Sequence, residues 1–186
     1  SHAQAKLAWL APFEVFYLAV GPRADTALEQ LLDGAEKRLT LGWAPVRDGM
    51  GAIDDDCVDA ANATSAALGA RFQIVIANAP PGAFLVVLVA APDGWYFAAP
   101  RAAQALRFGP SGQLRAPDHP LRFTSAGHHR FIAFAIDAPA PPRLLARREH
   151  RSALEREERE QFAADLKDRV QTRGFVTGEL EIFVLS

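Results

Sequence analysis

Between Arg71 and Asp137 short apolar runs alternate with Pro/Gly turns. RFQIVIANA precedes PPG, AFLVVLVA precedes APDG, WYFAAP and QALRF precede GPSG, and LRFT breaks at SAG before HHRFIAFAID. This punctuation predicts a multi-stranded, largely antiparallel sheet. Upstream, Phe13–Val20 is apolar on both faces and predicts a buried strand that Gly21-Pro22 ends. A helix is predicted over Thr26–Leu39, with Thr26 and Glu29 at capping-box spacing. Its buried stripe would hold Ala24, Leu28, Leu31, Leu32, Ala35 and Leu39, leaving Glu29, Asp33, Glu36 and Lys37 to water. Leu39–Val46 is a weak strand, interrupted by Gly42 and Pro45. A second helix is predicted over Asp54–Leu68, burying Val58, Ala61, Ser65 and Leu68 and ending at Gly69.

Pro139, Pro141 and Pro142 form a stiff linker, after which Arg147–Arg173 predicts a long charged helix. Its apolar stripe (Leu154, Phe162, Leu166 and Val170) is too sparse for a coiled coil and fits packing across a sheet. GELEIFVLS then returns as a strand, with Leu180, Ile182 and Val184 alternating with Glu179, Glu181 and Phe183. That half-polar alternation predicts a place at a sheet edge, or beside a strand already half covered. The order of elements implies an α/β fold, with α+β as the alternative. It would have a central mixed, largely antiparallel sheet, two short helices on one face, and a C-terminal helix plus strand. Residues 1–186 read as one domain, divided into an α/β half (10–99), a β extension (100–142) and a helix–strand closure (143–186).

Charge narrows the partners. With 20 basic and 22 acidic residues the chain carries a net charge of −2, which disfavours nucleic acid as a partner. No apolar run reaches the ~20 residues of a membrane span. Cys57 is the only cysteine, so an intramolecular disulfide and a cysteine-rich zinc site are excluded. Ser1-His2 has the look of a cleaved-tag remnant, so a natural targeting segment is not legible here.

Chemistry is sparse. Asp54, Asp55 and Asp56 at a helix start fit capping and dipole complementation better than cation binding. Cys57, beside three carboxylates and far from any His in sequence, reads as a small buried side chain. His128 and His129 follow Ser125-Ala126-Gly127 and read as solvated turn histidines; no metal site and no cofactor are expected. Phosphate-loop, dinucleotide and serine-hydrolase patterns are all missing, so no catalytic residue is assigned. Trp95, Tyr96 and Phe97 are consecutive, which leaves one facing outward unless both faces of their strand are covered. The candidate ligand or partner-binding residues are Trp43, Met50, Trp95, Tyr96, His119, His128 and His129. They lie along the turns and aromatic-rich stretches of the sheet.

The segment VDAANATSAALGARFQIVIANA, preceded by Ala11-Pro12-Phe13 and a helix, resembles TolB amino-terminal-like domains and related bacterial envelope lipoproteins. The resemblance covers residues 10 to 99 and implies a non-enzymatic domain that binds envelope proteins. The leading expectation is therefore a protein–protein interaction or assembly domain of the bacterial envelope or secretion apparatus. Its compartment would be the periplasm or envelope, with homo-oligomerisation left open. One alternative is a small-ligand-sensing domain with a pocket between Trp43, Met50 and Trp95. The other is an enzyme of unrecognised type using Asp118, His119 and His128.

Overall fold

The structure, a computed structural model, describes residues 26–46, 64–100, 105–140, 153–170 and 174–186. The elements are α1 (Thr26–Asp33), β1 (Glu36–Lys37), β2 (Thr40–Pro45), β3 (Ser65–Ala67), β4 (Arg71–Ala77) and β5 (Phe84–Ala91). They continue with β6 (Gly94–Ala99), β7 (Leu106–Arg107), β8 (Leu114–Arg122), β9 (Gly127–Ile136), α2 (Arg156–Val170) and β10 (Val176–Leu185). The fold is α/β and mostly sheet. A seven-stranded mixed sheet runs β1-β10-β9-β5-β6, with β3 added to β10 and β7 to β5; β2-β4-β8 form a second, antiparallel sheet.

Two-sided burial of the larger sheet organises three layers. Along β9, Phe131, Ala133 and Ala135 enter the core shared with the smaller sheet, while Ile132, Phe134 and Ile136 enter the core under the helices. In β5, Leu85 and Val87 face the smaller sheet, and Val86, Leu88 and Ala90 face the helices. Continuous apolar runs such as FLVVLVAA and FIAFAI are what such doubly covered strands require. Between the sheets an aromatic cluster fills the space. Phe72 stacks on Phe123 at 4.0 Å, and Trp43 meets both rings edge-on at 6.4 and 6.3 Å. Under the helices, Leu28 and Leu32 of α1 and Phe162 and Leu166 of α2 cover the other face.

Several sequence expectations change. α1 ends at Asp33 rather than Leu39, because the chain turns at Gly34 and Glu36–Lys37 pairs with Val176–Thr177. Glu29 does not face water: both carboxylate oxygens bond Arg130 of β9. The end of the second predicted helix is strand β3, whose backbone pairs in parallel with Phe183–Leu185 of β10, leaving Leu68 48% exposed. The rest of that helix, with Asp54–Asp56, Cys57 and Met50, and the Pro141-Pro142 part of the linker, lies outside the described residues. β2 forms a full strand despite Gly42 and Pro45, since it is the edge of the smaller sheet, where a missing N–H is tolerated. β10 is no edge strand. β9 pairs along nine of its residues, and β1 and β3 take opposite ends of its other side. The C-terminal helix lies across the sheet as expected, on the same face as α1, starting at Arg156 among the described residues. Its start is capped by Glu158, which accepts the Glu155 N–H at 2.9 Å.

Arg130 fastens α1 to the sheet. Its guanidinium meets Glu29 of α1 and, at 3.0–3.1 Å, Glu179 of β10, with its side chain 18% exposed. Those two carboxylates, outweighing the desolvation of burial that opposes them, hold the Arg130 pKa above its ordinary value. Removing the cation strands two half-buried carboxylates. Arg130→Ala is expected to cost about 2–3 kcal/mol in urea unfolding, below the ~3–5 kcal/mol of a fully buried pair. An Arg130→Ala protein as stable as wild type would contradict this account. Gly178 supplies a second check. A Cβ there would press on the Leu39 carbonyl and side chain, where the Arg38 and Leu39 N–H groups bond the Thr177 carbonyl at 3.0 and 2.9 Å. Gly178→Ala should cost ~1–3 kcal/mol through overpacking, measured by the same unfolding curves.

Candidate functional site

At one end of the two sheets a cleft of about 620 Å³ opens between them. Its floor is aromatic, with Phe72, Phe123 and Phe131 continuing the inter-sheet core. The polar groups come from three places. The Pro92-Asp93 turn between β5 and β6 contributes Asp93, and β6 itself contributes Tyr96. The start of β9 contributes His129; Arg71 and Arg122, cross-strand neighbours on β4 and β8, border the cleft, but strand alternation turns their side chains to the face of the smaller sheet opposite Phe72 and Phe123.

Strand alternation decides which side chains reach this cleft. Trp95 and Phe97 point under the helices and are buried, so Tyr96 between them turns toward the smaller sheet. Both faces of β6 are therefore covered, and no ring of this triplet is left wholly in solvent. The two adjacent histidines separate the same way. His129 faces the cleft, 4% exposed; His128 faces the helix side, with Nε2 3.5 Å from Glu181. Neither is a solvated turn residue, because β9 begins at Gly127 and pairs both with β10.

A chain of polar contacts runs along the wall. The Tyr96 hydroxyl donates to Asp93, and burial first, then this bond and the Asp93 charge, raise the Tyr96 pKa. Ser125 Oγ lies 3.5 Å from Asp93 Oδ1 and 3.3 Å from His129 Nε2. His129 Nδ1 lies 3.1 Å from the Gly127 carbonyl, an acceptor that assigns the ring proton to Nδ1 and leaves Nε2 to accept from Ser125. Burial is the main cause that lowers the His129 pKa, with the His128 charge adding slightly; the Gly127 carbonyl and Asp93 act against it. The imidazole is thus neutral at pH 7. The residue types are those of a Ser-His-Asp triad, but the carboxylate reaches the serine rather than the histidine.

The residues singled out from sequence do not all converge. Tyr96 and His129 meet at the cleft. Trp43 is core between the sheets and Trp95 is core under the helices, on opposite faces of the larger sheet, so they do not share a pocket. His119 belongs to β8 with its side chain outside the described residues, and His128 sits on the face of β9 turned away from the smaller sheet. Sequence reasoning missed Asp93 and Ser125. Asp93 and Ser125 carried a weak signal, since both occupy turns named from the Pro/Gly pattern. Among the described residues no three His, Cys, Asp or Glu side chains are grouped to hold a metal ion, and no helix is long and apolar enough to cross a membrane. No family model, curated protein or solved structure matches the chain.

The lowered His129 pKa sets a pH dependence. The unfolded chain binds a proton near 6.5, while the folded one resists it to lower pH. Stability from this group therefore falls as pH drops below about 6.5 and is unaffected above it. We expect the thermal midpoint to decline between pH 7 and pH 5, and His129→Phe to flatten that decline. A midpoint equally steep in the variant would assign the effect elsewhere.

Proposed function

We propose that the protein is a small-ligand-binding module whose site is the cleft between the two sheets. The observation that carries this reading is a concave site with an aromatic floor and a few polar groups converging on it, the usual composition of a small-molecule site. The polar chain from Tyr96 to His129 holds its members in fixed orientations, which lowers the ordering cost of binding. A ligand that binds only the folded state at about 100 times its Kd should stabilise the protein by ~2.7 kcal/mol. A thermal-shift screen of small polar metabolites with apolar bodies is expected to give midpoint rises of several degrees, lost on Tyr96→Ala. No shift across such a screen would defeat the reading.

A second reading, a protein–protein contact domain, is favoured by a different observation. Leu68, Phe183 and Leu185 are 48, 38 and 54% exposed and adjoin where β3 pairs with the end of β10. Clustered exposed apolar side chains of this kind suit a protein partner. On this reading Leu185→Glu abolishes a complex and leaves ligand-induced thermal shifts unchanged.

A further inference from the structure

Resting on the ligand-binding reading above, we infer that the cleft recognises an uncharged hydrogen-bond donor on an aromatic body, the chemistry of a phenol. The ratio of protons to acceptors along the polar wall carries this. His129 is 4% exposed and its Nδ1 proton is committed to the Gly127 carbonyl, so Nε2 is a buried acceptor on a residue that lines the cleft. Its partner is Ser125 Oγ at 3.3 Å, and that hydroxyl also lies 3.5 Å from Asp93 Oδ1. One hydroxyl has one proton. When Ser125 donates to Asp93, Nε2 is left without a donor among the described residues. Both contacts exceed the ~2.5–3.0 Å of a full hydroxyl hydrogen bond, as expected where one proton serves two acceptors. Asp93 adds to the surplus, because a carboxylate has about four acceptor sites and the Tyr96 hydroxyl fills one. The wall offers more lone pairs than protons, and a ligand completes it by donating.

Charge and shape narrow the class. Asp93 is exposed and keeps its water, so it requires no counter-charge, yet its carboxylate disfavours an anion that brings only further acceptors. A cation gains little from a hydrated carboxylate and gives up its own hydration at a buried imidazole that an uncharged donor serves as well. Phe123 meets the His129 ring edge-on, with centroids 5.4 Å apart, and stacks on Phe72 at 4.0 Å. An aromatic body resting on this floor makes the ring contacts that such a cluster favours and carries a hydroxyl on its rim to the imidazole.

The test titrates four compounds of one shape, followed by NMR: p-cresol, p-fluorotoluene (no donor), p-toluate (an anionic acceptor) and p-methylbenzylamine (a cation at neutral pH). p-Cresol should bind about three- to tenfold more tightly than p-fluorotoluene, the size of one neutral hydrogen bond, and more tightly than either charged compound. Two variants locate the acceptor. His129→Phe keeps a ring and removes the nitrogen, so the advantage of p-cresol over p-fluorotoluene should vanish. Ser125→Ala removes the internal donor that competes with the ligand, so the same advantage should grow about threefold. Ser125 is half-buried in the connection between β8 and β9, and its variant decides the matter where His129→Phe does not fold. Equal binding of p-cresol and p-fluorotoluene, or tighter binding of a charged compound, overturns the donor inference and leaves the cleft as a binding site. An advantage that survives His129→Phe, or fails to rise with Ser125→Ala, does the same. So does a panel in which none of the four binds while the metabolite screen yields a ligand lost on Tyr96→Ala. Failure of both experiments removes the ligand-binding reading as well.

Discussion

β9 is the constraint on which the other elements depend, because its side chains build both cores at once. A one-residue slip against β5 or β10 would move Phe131 under the helices and Phe134 between the sheets, with every neighbour reversed. It would also carry Arg130 away from Glu29 and Glu179, leaving three charged groups part-buried without counter-charge. Register is therefore fixed twice, by shape along the apolar half of the strand and by charge at its start. The same alternation that sends Arg130 to α1 sends His129 to the cleft and His128 to Glu181. The residue that clamps the helix and the histidine that lines the cleft are consecutive in one strand.

The architecture was legible where a strand is covered on both faces. FLVVLVAA and FIAFAI have no polar position to spare, and only a strand between two layers uses such a run. The buried residues of α1 and α2 were legible for a related reason, since the spacing of Leu28 and Leu32, and of Phe162 and Leu166, brings each pair to one helix face. The misreadings came where a backbone partner distant in sequence decides the outcome. Ser65–Ala67 has no strand signal of its own and takes its conformation from the end of β10. Gly178 interrupts a strand that would otherwise read more clearly, yet it is what lets β10 pass against Leu39.

The site was less legible than the fold because its polar members are also ordinary turn residues. Asp93 after Pro92, and Ser125 before Gly127, are what a hairpin or a strand connection uses for local backbone reasons. Their spacing in sequence shows no common purpose; they meet because β5, β6 and β9 are neighbours and their connections project at the same end of the sheet. Arg71 and Arg122, 51 positions apart by number, become neighbours only through the β4–β8 pairing. His129 looked like a turn histidine because the pairing that buries it is with the last strand of the chain.

The arrangement of Asp93, Ser125 and His129 suits holding a ligand better than transferring a proton. In a serine nucleophile's triad the carboxylate sits behind the imidazole, orients it and stabilises the imidazolium that forms when the serine is deprotonated. Here the group behind the ring is the neutral Gly127 carbonyl, while the carboxylate lies on the hydroxyl side. The burial that lowers the His129 pKa opposes the imidazolium further. Ser125 has a single proton to share between Asp93 and Nε2, so it links the two acceptors without being activated by either. What remains is a polar wall in which Asp93, Ser125 and His129 hold one another in place above an aromatic floor, with the hydroxyl bridging two acceptors rather than being deprotonated by either.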